Sequence, residues 1–576
     1  LGLPLRRALS TSATRALALA ALAFALRCYG LSAPLLDYHA WRQADTAAIA
    51  RNFMAGGYHL LYPQVDWGGL TPGYVESEFP LYTGMLSLLF GLVGPVAWPG
   101  RLLTALASAA ATGALYGLMR PLAGERAALY GGACLAIVPF PLYFGRAVMP
   151  DSLMLLMAIL ALWSLLRWLE HPTAGRLAAA LVCGALAPLA KTPNLLIAGV
   201  PLAYLALAVR PPRRLWPALA LYATTFVVPS LLWMRHAAAL PLDPRLSFGI
   251  AEKLFDLRLL ADPAFYRLVG RWSAENVLTW AGLPLFAAGL WPARRAGGGR
   301  FAWLPYFWLL GVALFFLAAA AGVVGQDYYI LPLAGPGAWF TGVGLARVRG
   351  WAAPRAPRLG RFLPAAALVL IAALSFVRVA PLYRTADFYA TLGHRVDLAL
   401  PPGARVGVIA PATSEILFYG GRKGWRLDPG VIVPGGLASL GPDLGVRYVL
   451  IADPWLTERR EVLTAALREY RRVPVGPYAL LLDMAQPGEA GPFEVAWETG
   501  HLVAEPFLSA WRAAGVARLG LPISEALALP EGRVQFFERG VLRAEAAGVR
   551  AEPLADGRAA LAARGLSEER QIEISR

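Results

Sequence analysis

Lysine is almost absent from this chain: of 53 lysines plus arginines in 576 residues, only Lys191, Lys253 and Lys423 are lysine. Cysteine is equally scarce. Cys28, Cys134 and Cys183 all lie inside apolar runs, which excludes a disulfide scaffold and offers no zinc-ligand spacing. Charged residues make up 16% of the chain, against about 25% in soluble domains, so a single soluble body of this length is excluded. Disorder is excluded too, because disordered chains are poor in apolar residues and this one is 57% hydrophobic. The mean hydropathy is +0.51. The formal charge of +16 would suit a nucleic acid only if the basic residues shared a soluble face. Here many fall in short loops between apolar runs, so topology explains them and no nucleic-acid partner is expected. A polytopic membrane protein remains.

Apolar stretches of spanning length recur from the N-terminus to residue 380. The first, 14–33, follows Arg6, Arg7 and Arg15 without a clean small-residue cleavage site, and reads as an anchor with a cytoplasmic N-terminus. Others lie near 81–98, 101–119, 127–145, 150–169, 177–190, 194–209, 215–235, 277–292, 301–321, 329–346 and 362–380. The connections 120–126, 167–176, 210–214, 294–300 and 347–361 are short and arginine-rich, as cytoplasmic loops are. The segments around Arg146–Asp151, Lys191–Asn194, 236–276 and Gln326–Tyr328 then face outside, as does everything after 380. That assignment leaves room for one span between 81 and 119, so 81–93 is laid in the interface or as a re-entrant helix. About eleven spans result.

Beyond Tyr383 the pattern changes to β-rich runs at Arg405–Ala410, Val446–Ala452 and Val473–Met484 around a helical Thr457–Arg472, which predicts a small α/β domain. The Gly/Pro-rich 486–492 reads as a linker. The expected organisation is a transmembrane domain over 1–380, an extracytoplasmic α/β domain over 381–488 and a short α+β module over 489–576. The last dozen residues are expected to be a charged, frayed tail.

Ionisable residues gather at the predicted outer face. Asp37, His39, Arg42 and Asp45 fall within nine residues after the first span. A buried carboxylate there suits a general base, or alternatively an ion pair with Arg42 or a helix cap; His39 reads as a hydrogen-bonded loop residue. Glu78 precedes the re-entrant stretch, Arg146 and Asp151 flank another span, and Lys191 ends an apolar run. A lysine at a membrane depth where charge is costly either snorkels or has a task. Arginine and lysine would suit a phosphate, and the carboxylates proton chemistry.

Five motifs in order carry a resemblance: His-Ala-Trp-Arg-Gln-Ala-Asp-Thr-Ala-Ala-Ile-Ala-Arg-Asn-Phe at 39–53, Glu-Phe-Pro-Leu-Tyr at 78–82, Val-Met-Pro-Asp at 148–151, Leu-Ala-Lys-Thr-Pro at 189–193 and Gln-Asp-Tyr-Tyr-Ile-Leu-Pro-Leu at 326–333. Over about the first 380 residues the chain resembles polytopic glycosyltransferases of the GT-C fold, the group of protein O-mannosyltransferases and the lipid A aminoarabinose transferase. The resemblance implies a polyprenyl-phosphate-linked sugar donor, an extracytoplasmic acceptor and an inner-membrane location. It implies Asp45 as catalytic acid residue, with Asp37 as rival, and Asp151 as the second acid of the cavity. Lys191 and Tyr329 would bind the donor phosphate, with Tyr328 beside them. Glu78 matches a position that in the aminoarabinose transferase helps hold a metal. A divalent cation has a place in this scheme but is not required, because a monophosphate leaving group carries less charge than a nucleotide diphosphate. Phe79 stands where that transferase has a phosphate-binding lysine, which turns attention to Arg42 and Arg146, and Gln326 replaces a frequent histidine.

In this scheme the acceptor hydroxyl attacks the anomeric carbon opposite the phosphate, with inversion. Two other classes compete. A transporter or lipid flippase would place charges near the bilayer midplane and carry inverted repeats, and no repeat is visible. A non-catalytic envelope scaffold would leave Asp45 and Lys191 dispensable. A second pattern lies at the C-terminus. His501, Phe507, Trp511, Gly515, the turn at 519–525 and the hairpin at 532–540 resemble a short module appended to bacterial extracytoplasmic proteins. Packing its own small core is the reading preferred there over glycan binding.

Overall fold

The computed structural model describes residues 12–76, 78–208, 212–241, 254–291, 301–452, 454–530 and 532–575. The chain divides into two compact units: Leu1–Tyr38, Ile49–Pro63 and Val75–Thr385 form the first, and His39–Ala48, Gln64–Tyr74 and Ala386–Arg576 the second.

The first unit is helical. Among the described residues, four helices are long and apolar enough to cross a membrane: Ala97–Ala123, Asp151–Glu170, Arg213–Ala238 and a run within Phe362–Ala399. Leu81–Val93, Ala174–Ala190, Asn194–Ala208 and Leu304–Ala318 are shorter and also apolar. Leu232, Phe376 and Val377 stand 62%, 68% and 71% exposed on two of the long helices, an arrangement suited to lipid and costly in water.

Small residues let the interior helices meet backbone to backbone. A Cβ on Gly342 would come within 2.5 Å of the Gly131 nitrogen, so Ala334–Ala352 lies directly on Glu125–Ile137. The same helix meets Leu283–Leu290, where a Cβ on Gly344 would reach the Leu285 carbonyl at 1.9 Å. Arg27, fully buried, donates to the carbonyls of Ala23, Leu135, Ala136 and Pro141 and to the Ser108 hydroxyl, with no carboxylate partner among the described residues. Two of these carbonyls, those of Leu135 and Ala136, lie in the last turn of Glu125–Ile137, where a cation complements the helix dipole. All three cysteines are free.

In the second unit, strands β1 (Val406–Ile409), β2 (Gly424–Arg426), β3 (Tyr448–Ala452), β4 (Arg471–Val473) and β5 (Ala479–Asp483) form one sheet in the order β2-β1-β3-β5-β4. β1 runs parallel to β2 and β3, while β5 is antiparallel to β3 and β4. The central strands β1, β3 and β5 are buried throughout, as strands covered on both faces should be. Leu463 and Leu467 of the helix Arg460–Glu469 pack into the same core as Val449, Ile451, Leu480 and Leu482.

The segment 64–74, expected within the first domain, is held on this sheet by its contacts. Gly68 bridges Trp425 of β2, the Gly69 amide donates to the Gly424 carbonyl (2.7 Å), and the Gly424 amide donates to that of Asp66 (2.8 Å). Gly69 has a φ of +61°, and a Cβ there would sit 2.4 Å from Trp425 Nε1, so only glycine fits this crossing.

The C-terminal module begins with the hairpin β6 (Phe493–Ala496) and β7 (His501–Ala504). The helix Phe507–Ala514 follows, and then an antiparallel sheet of β8 (Leu527–Leu529), β9 (Gly532–Phe537), β10 (Gly540–Glu545) and β11 (Gly548–Pro553). Two small cores fill it, one around Phe507, Trp511 and Phe537, the other around Phe536, Val541 and Leu561. The expected frayed tail is wrong. Glu568–Ser575 is a helix whose Gln571 and Ile572 are buried, and Glu568 pairs with Arg395 of the helix Phe388–Ala399. Gln571 and Ile572 are the buried positions of this helix, and Ile574 packs partly buried against the core around Phe536.

Candidate active site

In the first unit, three chain segments deliver side chains to Lys191. The lysine is the C-cap of Ala174–Ala190, where the backbone turns extended (φ −164°, ψ 126°). The Asn194 amide nitrogen holds the turn by donating to the carbonyls of Ala187 (2.8 Å) and Met154 (3.0 Å). Asp151 opens the helix Asp151–Glu170 directly after Pro150, and its Oδ1 accepts from Lys191 Nζ at 2.7 Å. Glu78 Oε1 is 4.0 Å from the same nitrogen. The Tyr328 and Tyr329 rings, on the 3₁₀ turn Asp327–Leu333, have their centroids 5.1 and 5.6 Å from it. That turn is anchored by Tyr38, whose hydroxyl donates to Asp327 Oδ2 at 2.6 Å.

Five residues expected in the cavity are therefore one cluster: Lys191, Asp151, Glu78, Tyr328 and Tyr329. Asp151 Oδ2 is buried with no hydrogen-bond partner among the described residues, an orphaned acceptor that can receive a donor from a bound molecule. Among the described residues no three His, Cys, Asp or Glu side chains converge, and the ammonium of Lys191 already lies on both acids.

Asp37 and Arg146 stand apart from this cluster. Asp37 Oδ2 accepts from Arg146 Nη2 (2.5 Å) and Arg101 Nη1 (3.1 Å), with all three side chains at most 1% exposed. Arg101 also donates to the Pro34 carbonyl and Arg146 to that of Gly30, and the Arg146 guanidinium lies 4.4 Å from the centre of the Tyr383 ring. The group ties the loop after the first helix to its neighbours. Its carboxylate is held between two cations, and its arginines are turned to the protein. Among the described residues Arg146 pairs with Asp37 and the Gly30 carbonyl and not with the Lys191 cluster.

Asp45 and Arg42 belong to the second unit. Asp45 lies on the helix Ala40–Ala55 and is 2% exposed. Trp67 Nε1 donates to its Oδ1 at 3.0 Å. Burial pushes the Asp45 carboxyl up to about 6, although Ser414, Trp67 and the Arg42 charge favour the ionised form; Asp66 adds to the rise. Beside it, Glu415 is pushed up to about 7, first by burial and then by the Asp45 charge, against its backbone hydrogen bond and Arg426. Sequence reasoning missed Trp67, Ser414 and Glu415. The available signal was Glu415 itself, a lone acid before the apolar run Ile416, Leu417, Phe418.

Known proteins bear on both the family and the fold. Residues 77–233 match the family of dolichyl-phosphate-mannose-protein mannosyltransferases, a span that contains Glu78, Asp151 and Lys191. Among solved structures, the chain is similar to ArnT from Cupriavidus metallidurans in the apo state, with a TM-score of 0.54 and 17% identity over 82% of this chain and 98% of that one. ArnT bound to undecaprenyl phosphate gives 0.53 and 17% over 81% and 97%. The Archaeoglobus fulgidus oligosaccharyltransferase in its apo form gives 0.54 and 14% over 80% and 73%. No curated protein matches by sequence. The fold is thus the one implied by the five motifs, a mostly helical GT-C-like body.

Proposed function

We propose that this protein is an integral inner-membrane glycosyltransferase. It moves a sugar from a polyprenyl phosphate to an extracytoplasmic acceptor hydroxyl on lipid, glycan or protein. The observation that carries the reading is the Lys191 cluster. It lies mostly within the segment that matches the mannosyltransferase family, in a fold shared with a protein crystallised on undecaprenyl phosphate. About eleven spans, a cytoplasmic N-terminus and an outward-facing second unit complete the proposed topology.

On the donor side, Lys191 is the phosphate-binding cation. The donor's phosphodiester competes with Asp151 for the ammonium, and Tyr329 supports the phosphate alongside. As the bond from the anomeric carbon to the phosphate oxygen breaks, negative charge grows on the leaving polyprenyl phosphate, and a preplaced cation is worth most at that moment. On the acceptor side, Asp45 is the base. The acceptor oxygen forms the new bond to the anomeric carbon from the opposite face, its O–H bond breaks, and the proton passes to the Asp45 carboxylate. A carboxyl near 6 is about nine-tenths ionised at pH 7 and still basic enough to accept. The products are the inverted glycoside and polyprenyl phosphate.

Native mass spectrometry of the purified full chain with undecaprenyl phosphate tests the donor side. We expect one phospholipid bound per chain, and at least tenfold weaker binding in Lys191→Ala. Equal binding by both proteins would remove Lys191 from the donor site.

A further inference from the structure

We propose that Tyr38 and Asp327 are positioning residues for the donor phosphate, through which the loop after the first helix holds a tyrosine pair against Lys191. The inference rests on the reading of Lys191 as the donor cation. The Tyr38 hydroxyl donates to Asp327 Oδ2 at 2.6 Å, across 289 residues of chain. Asp327 is the first residue of the 3₁₀ turn Asp327–Leu333, and the next two residues, Tyr328 and Tyr329, are the rings that flank Lys191 Nζ. These rings meet edge to face with centroids 5.2 Å apart, and Tyr329 leans on Phe315 at 5.9 Å. Moving Asp327 therefore moves both aromatic faces that the ammonium meets.

Tyr38 is itself fixed. Its amide donates to the Leu382 carbonyl (3.1 Å), and its carbonyl accepts from the Tyr143 hydroxyl (2.9 Å). Its ring lies edge-on to Tyr143 and tilted on Phe144, and Phe144 in turn meets Tyr328 with centroids 5.9 Å apart. The residue before it is Asp37, whose carboxylate is held by Arg101 and Arg146. Packing explains an aromatic ring at 38, because the ring lies against the buried cluster of Phe140, Tyr143, Phe144, Tyr328 and Leu331. Packing does not explain the hydroxyl. A phenylalanine would fill the same space and take this donor from the Asp327 carboxylate. A hydrogen bond to a carboxylate is short and strong, and a binding group locked by such a bond loses less freedom when its ligand arrives. Every residue from Asp37 through Tyr38, Asp327 and Tyr329 to Lys191 belongs to the first unit.

Native mass spectrometry of the purified full chain with undecaprenyl phosphate reads the affinity of the donor site, and hydrogen exchange of peptides covering 326–333 reads the turn with no lipid present. We expect Tyr38→Phe to weaken binding about fivefold and to speed exchange in 326–333, and Asp327→Leu to do the same. Asp327→Asn, whose amide oxygen still accepts from the hydroxyl, keeps most of the wild-type affinity. Tyr38→Phe combined with Asp327→Leu binds no more weakly than Asp327→Leu alone, because both changes break one bond. A bond that serves stability only would reduce the amount of folded protein and leave the affinity of the remainder unchanged. Wild-type affinity in folded Tyr38→Phe and Asp327→Leu, beside a Lys191→Ala protein that has lost the lipid, would overturn the proposal and spare the donor site, as would losses that add in the double variant. Equal binding by Lys191→Ala and wild type would overturn the donor reading beneath it.

Discussion

Replacing Asp45 by asparagine should separate stability from chemistry. The carboxyl lies near 4 in an unfolded chain and about 6 in the folded one. A raised folded value means that its contribution is fully favourable below about pH 4 and is lost as pH rises through 6. Above that, the buried charge costs roughly 3 kcal/mol, at about 1.4 kcal/mol per unit. Asparagine removes the charge. Its carbonyl still accepts from Trp67 Nε1. With some loss in hydrogen-bond quality, the variant should be more stable than wild type by about 2 kcal/mol at pH 8 and indistinguishable near pH 4. Hydrogen exchange of peptides covering 39–48, 64–74 and 406–420 reads this directly. Transfer should nevertheless fall by about 10²–10⁴-fold, the usual worth of a general base. An Asp45→Asn protein less protected than wild type at pH 8 would make the carboxylate an anchor and refute the reasoning, as would unchanged turnover.

Three further perturbations separate the remaining roles. Lys191→Arg should recover only part of what Lys191→Ala loses in transfer at limiting donor, because a planar fork and a point charge hold phosphate differently; full turnover by Lys191→Ala would mean that the lysine only satisfies Asp151. Asp37→Asn should cost about 3–5 kcal/mol by stranding Arg101 and Arg146, seen as loss of monodisperse protein on mild heating. A well-folded, inactive Asp37→Asn would make Asp37 the base instead. In the C-terminal module, Glu525 accepts from Arg472 (2.6 Å) and His501 (2.9 Å). Burial would raise its carboxyl, but these two partners outweigh it and hold the group down to about 2. A lowered folded value stabilises above the ordinary carboxylate range and is lost as pH falls toward 2. Glu525→Gln should therefore loosen 501–545 at pH 7 and abolish the acid-dependent part of that loosening, measured by hydrogen exchange.

Some of this was legible in the sequence because it rests on local cost. Lys191 stood out as a rare lysine ending an apolar run, and a charge in such a place is seldom idle. Asp151 and Tyr328–Tyr329 were legible as polar interruptions of apolar helices. The α/β fold followed from short β-rich runs around one amphipathic helix. The surroundings of Asp45 were not legible. Ser414 and Glu415 lie some 370 residues away in the chain, and no periodicity links a helix near the first span to a sheet near the C-terminus. The loop 64–74 is similar, since its backbone bonds to β2 leave no side-chain pattern. Arg101 and Arg146 were ambiguous for a different reason: an arginine at a helix end reads alike whether it meets a phosphate or a buried aspartate. The final helix was misread because charge density was weighed above the buried Gln571 and Ile572.

Mass spectrometry of envelope glycolipids, glycans and glycoproteins from a deletion strain tests the proposed transfer most directly. We expect one class of molecule to lose the mass of a single sugar residue while the corresponding polyprenyl-phosphate sugar accumulates. The wild-type gene should restore both, and Asp45→Asn and Lys191→Ala should restore neither. An envelope unchanged in every class, with no accumulated lipid-linked sugar, would contradict a glycosyltransferase.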